Sequence, residues 1–228
     1  MARYLALIKV LLACACLVPF GLLVIRAVGL DGMSLGANPV QEILNVCGKT
    51  GLNLLMLTLC VTPIRRSTGL NRLVALRRML GLFSFFYLIL HFLTYALLDL
   101  HLDWGTLLPD IAKRPYITIG FTAIVLMIPL AVTSTNRMQR RLGRRWIKLH
   151  RLIYPIAILA VIHYWWQTKR DISEPLLYAF LLGVLFLARI LHWREVRRKR
   201  ARSVDSKATM ASTYERVEPP QPRQEASR

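Results

Sequence analysis

The chain has 228 residues, 55% of them hydrophobic, and a formal net charge of +19 from 31 Lys and Arg residues against 12 Asp and Glu residues. A soluble domain this apolar would be prone to aggregate, whereas a bilayer accepts long apolar segments and confines charge to loops and tails. Nucleic-acid binding is disfavoured as the reason for the basic charge, because the arginines punctuate hydrophobic segments instead of forming a stripe on a polar domain.

Six segments are long and apolar enough to cross a hydrocarbon core about 30 Å thick, which takes about 20 helical residues. The sequence therefore predicts an all-α membrane protein, a bundle of six transmembrane helices. The predicted spans are Leu5 to Ile25, Cys47 to Ile64, Leu80 to Leu98, Ile117 to Thr133, Leu149 to Trp166 and Pro175 to Trp193.

The first span has the outline of a secretory signal, because a short basic start precedes an apolar run with an Ala-Cys-Ala stretch. We reject that interpretation since the apolar run continues past Pro19 to Ile25, which makes a full span. The four cysteines lack the spacing of metal ligands and are predicted to pack as small apolar residues. They are Cys14, Cys16, Cys47 and Cys60.

Two strongly basic loops set the predicted orientation. Loops rich in Lys and Arg stay in the cytoplasm, so both loops and both termini are predicted to lie on that side of a bacterial inner membrane. The basic residues are Arg65, Arg66, Arg72, Arg77 and Arg78 between the second and third spans, and Arg137, Arg140, Arg141, Arg144, Arg145 and Lys148 between the fourth and fifth. No internal repeat is evident in the sequence.

The chain is predicted to form one transmembrane domain over residues 1–195 and a basic tail over residues 196–228. The tail ends in a stretch containing Pro, Glu, Ser and Gln without apolar periodicity, which predicts disorder. Its basic residues from Arg197 to Arg200 are interpreted as an anchor to anionic lipid.

Ionisable residues within membrane spans are costly and are functional candidates by default. His91 lies in the third span, while His150 opens the fifth and His163 lies near its far end. The third and fifth spans run in the same direction, and 13 residues separate Arg78 from His91 and His150 from His163. At about 1.5 Å per residue both steps climb roughly 20 Å, so His91 and His163 reach the same depth.

Two imidazoles at one depth on facing helices are the arrangement needed to bind one haem iron from both sides. Such an iron keeps no open position for oxygen or substrate, so the haem would carry single electrons. The alternative is that His91 and His163 only form hydrogen bonds between helices.

His150 lies near the cytoplasmic surface, and its role is less defined. On an ideal helix it does not share a stripe with His163, although a kink near Pro155 would realign them. At its depth the third helix offers Arg78, which suits a haem propionate or a flavin phosphate. Trp146 stands among cytoplasmic arginines, where its ring could stack on a flavin.

The remaining histidines, His101 and His192, are predicted to lie at the membrane interface. Trp104, Trp165, Trp166 and Trp193 fit an aromatic belt at the same level.

Several short stretches form a recognisable pattern: residues 77–82 (RRMLGL) leading to His91, then residues 140–146 (RRLGRRW), residues 149–152 (LHRL), Tyr154 and His163. With these stretches the chain resembles the ferric-reductase-like transmembrane domain family over nearly its whole length up to about residue 195. Ferric reductases carry two histidines on each of two helices, whereas this chain has Arg78 at the fourth position.

The resemblance implies that His91 and His163 bind haem b and that His150 is a further candidate ligand. It also implies FMN on the cytoplasmic side, for which Arg77, Arg78 and Trp146 are the candidate contacts. Electrons would come from a cytoplasmic flavin reductase or from quinone, and pass to a periplasmic molybdopterin subunit that repairs oxidised methionine. The chain would then be the electron-transfer subunit of that oxidoreductase, not its catalytic subunit.

Two alternatives stay open at this point. The chain could be a quinol-linked cytochrome b subunit of another oxidoreductase, or a non-redox transporter or assembly factor whose histidines move protons or pack. No GxGxxG motif or P-loop is present, so reducing equivalents are expected to arrive from another protein.

Overall fold

The computed structural model of the protein describes residues 2–29, 35–70, 73–168 and 171–217. Throughout these ranges the regular structure is helical, which confirms the predicted all-α class. The helices are α1 (Ala2–Val28), α2 (Pro39–Thr68), α3 (Val74–Leu93), α4 (Trp104–Lys113), α5 (Pro115–Val132), α6 (Asn136–Leu142), α7 (Arg144–Leu149), α8 (Ile153–Gln167) and α9 (Ser173–Val217).

Six helical runs are long and apolar enough to cross a membrane, as predicted, so the chain is a multi-pass membrane protein. They cover Ala6–Val28, Pro39–Thr68, Val74–Asp99, Pro115–Val132, Arg144–Gln167 and Ser173–Lys207. Many of their large apolar side chains are exposed, as lipid-facing positions must be. The chain divides into two compact units, Met1–Leu185 and Phe186–Arg228, and α9 runs from the first into the second.

Two helical hairpins build the centre of the first unit, because α2 packs chiefly on α3 and α5 packs chiefly on α8. The first hairpin is tight at Gly51, where a Cβ atom would lie 2.8 Å from Leu88 Cδ2. Ser84 Oγ donates a hydrogen bond to the Gly51 carbonyl at 2.8 Å in the same place. Small residues thus let the two backbones approach closely, as is usual for helix pairs in membranes.

Local sequence fixes where α2 begins and ends. The Asn38 side chain caps its first turn by accepting from the Gln41 N–H at 3.1 Å, and Pro39 takes the first helical position. The helix ends at Gly69, which adopts the left-handed conformation with φ +72° and donates its N–H to the Arg65 carbonyl.

The α1 helix is fastened to the bundle by the hydroxyl of Tyr87 on α3. Pro19 lacks an N–H and disturbs the helical ladder at this point. The Tyr87 hydroxyl inserts itself there: it accepts from the Phe20 N–H at 3.1 Å and donates to the Cys16 carbonyl at 2.6 Å. Tyr87 is fully buried, so this bridge replaces one helical hydrogen bond inside the bundle.

The fifth predicted span is not one continuous α-helix. It consists of α7, a 3₁₀ turn over His150–Leu152, and α8. Pro155 lies in the first turn of α8 and cannot donate to a preceding carbonyl, which accounts for a break just before it. The helix is therefore irregular at His150 itself, slightly earlier than the kink expected near Pro155.

The third span changes its winding after His91. Residues Thr94–Asp99 form a π-helical segment, and His101 and Leu102 then take positive φ angles of 51° and 55°. The chain next enters α4, whose N-cap Asp103 accepts from the Gly105 N–H and the Thr106 hydroxyl. The hydrogen bond from Thr106, and to a smaller extent that from Gly105, lowers the pKa of the exposed Asp103 carboxyl.

Disorder was expected over residues 196–228, and the structure differs from this expectation in the first part of the tail. Residues 196–217 continue α9 as helix, and residues 218–228 lie outside the described residues. Arg, Lys, Glu and Ala favour helix, and there is no Gly or Pro between Trp193 and Val217 to end it. Within the second unit, Lys199 forms an ion pair with Glu195, and Arg197 Cζ lies 3.5 Å from the centre of the Trp193 ring.

Replacing Tyr87 with phenylalanine should destabilise the protein by about 1–3 kcal/mol, because the buried Phe20 N–H and Cys16 carbonyl would lose their partner. The measurement is thermal unfolding of the purified protein in detergent. Tyr4→Phe is the matched control since Tyr4 is 71% exposed on the same helix α1. Equal melting temperatures for the two variants would refute the bridging role of Tyr87.

Candidate functional site

His91 of α3 and His163 of α8 face each other between the two hairpins. Their ring centres lie 6.2 Å apart, and the ring planes cross at 81°. The predicted pair thus comes together inside the first unit, as the matched depth of the two residues indicated.

Each ring is oriented by a main-chain carbonyl of the helix packed beside it. The Nδ1–H of His91 donates to the Leu44 carbonyl of α2 at 2.9 Å. The Nδ1–H of His163 donates to the Tyr116 carbonyl of α5 at 2.7 Å. Since a carbonyl only accepts, both Nδ1 atoms carry the proton, and both Nε2 atoms keep a free lone pair.

Two glycines make room for the rings. A Cβ atom on Gly48 of α2 would lie 3.0 Å from His91 Nδ1, and one on Gly120 of α5 would lie 2.7 Å from His163 Nδ1. Real Cβ atoms essentially never come within 3.0 Å of other heavy atoms, so Gly120 in particular cannot carry a side chain without displacing the ring. Each histidine therefore lies against the bare backbone of its neighbouring helix.

The two halves of this site repeat one pattern, which the sequence analysis missed. In both hairpins the histidine follows its carbonyl partner by 47 residues. Four equivalent pairs are separated by the same 72 residues: Leu44 and Tyr116, Gly48 and Gly120, Arg78 and His150, and His91 and His163. The α2–α3 and α5–α8 hairpins are thus related as an internal repeat at the level of the site.

The spacing of the rings suits a shared metal. A metal–imidazole bond is about 2.0 Å and the ring centre lies about 1.1 Å behind the nitrogen, so two imidazoles on one metal have centres roughly 6 Å apart. The observed 6.2 Å agrees with that separation. Among the residues that the structure describes, no group of three or more His, Cys, Asp and Glu could hold a metal ion. A metal here would therefore have to bring other ligands with it.

A cavity of about 620 Å³ lies beside the basic loops, at what we call the arginine end of the bundle. It brings together the other four predicted site residues, Arg77, Arg78, Trp146 and His150. Apolar side chains of α3, α5 and α8 line its interior; they include Leu82, Phe85, Met127, Leu130 and Ile153.

His150 lies in this cavity and, like His163, donates to a main-chain carbonyl, but its acceptor lies only four residues earlier in the chain. Its Nδ1–H donates to the Trp146 carbonyl at 3.1 Å, and the Trp146 ring stacks on it with centres 3.9 Å apart at 27°. The Nε2 atom of His150 is buried and has no hydrogen-bond partner. One face of the Trp146 ring is thus occupied by His150.

Cationic groups surround the cavity opening. Arg78 donates to the Asn136 side chain, while Arg77 Nη1 lies 3.5 Å from Thr62 Oγ1. Lys9 of α1 and Arg151 also line the cavity, a contribution that the sequence analysis did not anticipate. An anionic ligand group would meet several positive charges here.

His101 and His192 belong neither to the His91–His163 pair nor to the cavity lining. The carbonyl partners and the two glycines were missed, because a backbone acceptor leaves no mark in the sequence. A signal was available for the glycines, since each precedes its histidine by 43 residues.

Fold and site together define a polytopic membrane protein in which two histidines from separate spans face each other. A family model described as "Ferric reductase like transmembrane component" matches residues 47–161, which run from within α2 to within α8 and include His91 and His150. The chain belongs to this ferric reductase like transmembrane family.

Three relatives are identical to this chain at about half of the aligned positions. A protein from Xanthomonas campestris pv. campestris (strain B100) is 51% identical over 169 residues, 74% of this chain and 75% of the relative. Those from Herminiimonas arsenicoxydans and Rhodospirillum rubrum are each 48% identical over 82% of this chain, covering 85% and 88% of their own lengths. All three bear the name protein-methionine-sulfoxide reductase heme-binding subunit MsrQ.

Replacing Gly120 with alanine should destabilise the protein, because the added methyl would push on the His163 ring at a cost of about 1–3 kcal/mol. Gly21→Ala is the matched control, since nothing lies within 4 Å of the added Cβ and alanine favours helix by up to about 1 kcal/mol. Thermal unfolding in detergent measures both. A Gly120→Ala protein as stable as Gly21→Ala would mean that the close approach is unimportant.

Proposed function

We propose that the protein is a haem b-binding electron-transfer subunit of a methionine sulfoxide reductase system, with His91 and His163 as the axial ligands of the iron. The observation that carries the proposal is the pair of imidazoles 6.2 Å apart, each with Nδ1 committed to a carbonyl and Nε2 available. The relatives named as heme-binding subunits support the same cofactor.

The donor set favours haem over a bare metal ion. Two neutral imidazoles leave most coordination positions of iron unfilled, and the porphyrin supplies the four in-plane nitrogens that the chain lacks. The Nδ1–H bonds to Leu44 and Tyr116 fix the ring orientations and increase the basicity of both Nε2 atoms. The residues present therefore fit the group.

Bound between two imidazoles, haem supplies one-electron oxidation and reduction at iron. If His91 and His163 both bound the haem iron, no coordination position would remain for oxygen or a substrate. The hydrogen bonds to Leu44 and Tyr116 would keep the two rings in position. The role of this chain is thus to hold an electron carrier inside the membrane, while catalysis belongs to another subunit.

The cavity at the arginine end is proposed to hold a second redox group. The buried, unpartnered Nε2 of His150 would serve as a ligand to a second haem, or as a hydrogen-bond acceptor for FMN or a quinol. Arg77 and Arg78 at the opening would pair with a propionate or a phosphate. Trp146 would hold His150 in position through its carbonyl and its ring.

The charge distribution supports an orientation in the membrane, and the proposed direction of electron flow follows from that orientation. We place the arginine end, and with it both termini, in the cytoplasm of a bacterium whose inner membrane the protein spans. A cytoplasmic flavin reductase or the quinone pool would deliver electrons at that end. The His91–His163 pair lies toward the periplasm, where a molybdopterin-containing MsrP subunit would accept them.

The two single variants His91→Ala and His163→Ala should each lose most of the reduced-minus-oxidised haem b spectrum of the purified protein. His101→Ala is the control, since His101 is exposed in the turn before α4. Size-exclusion elution and thermal unfolding show whether each variant is folded. Retention of the spectrum in both folded variants would disprove the ligand assignment.

His150→Ala should lower the cofactor content by one group per chain while the His91–His163 haem stays bound. Counting haem and FMN in detergent-purified protein identifies which group is lost, and reduction by a quinol tests the quinone alternative. His192→Ala is the control, because His192 does not line the cavity. If haem content, FMN content and quinol reduction all equal those of the control, the cavity does not hold a redox group.

A further inference from the structure

A chain of polar contacts crosses the end of the bundle opposite the arginine end. Its centre is Asp110 of α4, whose side chain is only 13% exposed. The Tyr95 hydroxyl donates to Asp110 Oδ2 at 2.5 Å, and Arg114 Nε donates to Asp110 Oδ1 at 2.7 Å. Asp110 therefore joins the π-helical segment after α3 to the start of α5.

The same contacts lead to His163, and they begin close to His91 in the chain. Arg114 Nη1 donates to the Tyr116 hydroxyl at 3.3 Å. Tyr116 in turn holds His163 twice, by its carbonyl and by its ring, which stacks on the imidazole with centres 6.5 Å apart at 30°. On the other side, Tyr95 lies one turn beyond His91 in the chain.

The placement of Asp110 is not explained by α4 alone. Leu107 of α4 is buried, whereas Trp104 and Leu108 are each 61% exposed, so α4 is an amphipathic helix lying against the bundle. Asp110 follows Leu107 by three residues and lies on the same inward face. A carboxylate on an inward face costs free energy unless its partners compensate, so an apolar residue would be the ordinary choice for packing.

We propose that Asp110 is a positioning residue for the histidine pair: through Arg114 and Tyr116 it fixes the orientation of the His163 imidazole relative to that of His91. This inference rests on the proposed function, because the measurable consequence is seen on bound haem iron. The 81° crossing of the rings is the quantity that Asp110 would maintain.

Ring orientation has a spectroscopic signature. Axial imidazoles with nearly perpendicular planes leave the iron d orbitals almost degenerate, so the ferric protein gives a highly anisotropic low-spin EPR signal with a large gmax. Parallel planes remove that degeneracy and lower gmax. The wild-type protein should therefore show the large-gmax signal, and a change in ring orientation should move it.

The experiment compares EPR spectra and haem midpoint potentials of wild type, Asp110→Asn and Tyr116→Phe. Both variants should shift gmax, because Tyr116→Phe removes the hydroxyl that accepts from Arg114 and Asp110→Asn weakens the ion pair that holds Arg114 in place. Asp110→Asn should also raise the midpoint potential, since removing a negative charge favours the reduced, less positive iron. Tyr116→Phe keeps the ring and the carbonyl and changes no charge, so it isolates the positional effect if Asp110→Asn fails to fold.

Asp103→Asn is the matched control, because it makes the same chemical change on the same helix at an exposed N-cap that asparagine also fills well. Its gmax should equal that of wild type. Unchanged gmax in Asp110→Asn and Tyr116→Phe, with haem bound, would overturn the positioning role alone. Wild-type protein that contains no haem would overturn the proposed function and this inference together.

Discussion

Each imidazole of the His91–His163 pair donates its Nδ1–H to a main-chain carbonyl of the neighbouring helix, and the rest of the arrangement depends on that bond. It fixes which nitrogen carries the proton, sets the direction in which Nε2 points, and requires the ring to lie against a helix backbone. Such contact is possible only where the neighbouring helix has a glycine, as at Gly48 and Gly120. Helix packing and ligand chemistry are therefore determined by the same few residues.

The bilayer explains why polar contacts in this bundle are so specific. A polar group in the hydrocarbon region has no water to bind and must find a partner inside the protein. The Tyr87 hydroxyl satisfies two backbone groups of α1, and the Ser84 hydroxyl satisfies one of α2. The Nε2 atom of His150 is an exception, because it is buried and has no hydrogen-bond partner. This exception is the reason for proposing that the cavity beside it binds a ligand.

Hydropathy and charge were sufficient to predict the six spans, because these properties follow from the solvent that each segment meets. Counting residues along two spans predicted that His91 and His163 reach one level, since helical rise is constant. The acceptors Leu44 and Tyr116 could not be predicted, because any residue provides a carbonyl. The helical course of residues 196–217 was also missed, since a lack of apolar periodicity indicates the absence of a buried face and not the absence of helix.

The 72-residue offset suggests a history of gene duplication. Each hairpin contains a complete half-site, a histidine with its carbonyl and its glycine, so a polypeptide of half the length pairing with a copy of itself would already assemble the ring pair. Identical copies would place the same residue at both equivalent inner positions. Within one chain the two equivalent positions need not be identical, and here Arg78 and His150 both line the cavity at the arginine end, so one repeat contributes a guanidinium and the other an imidazole.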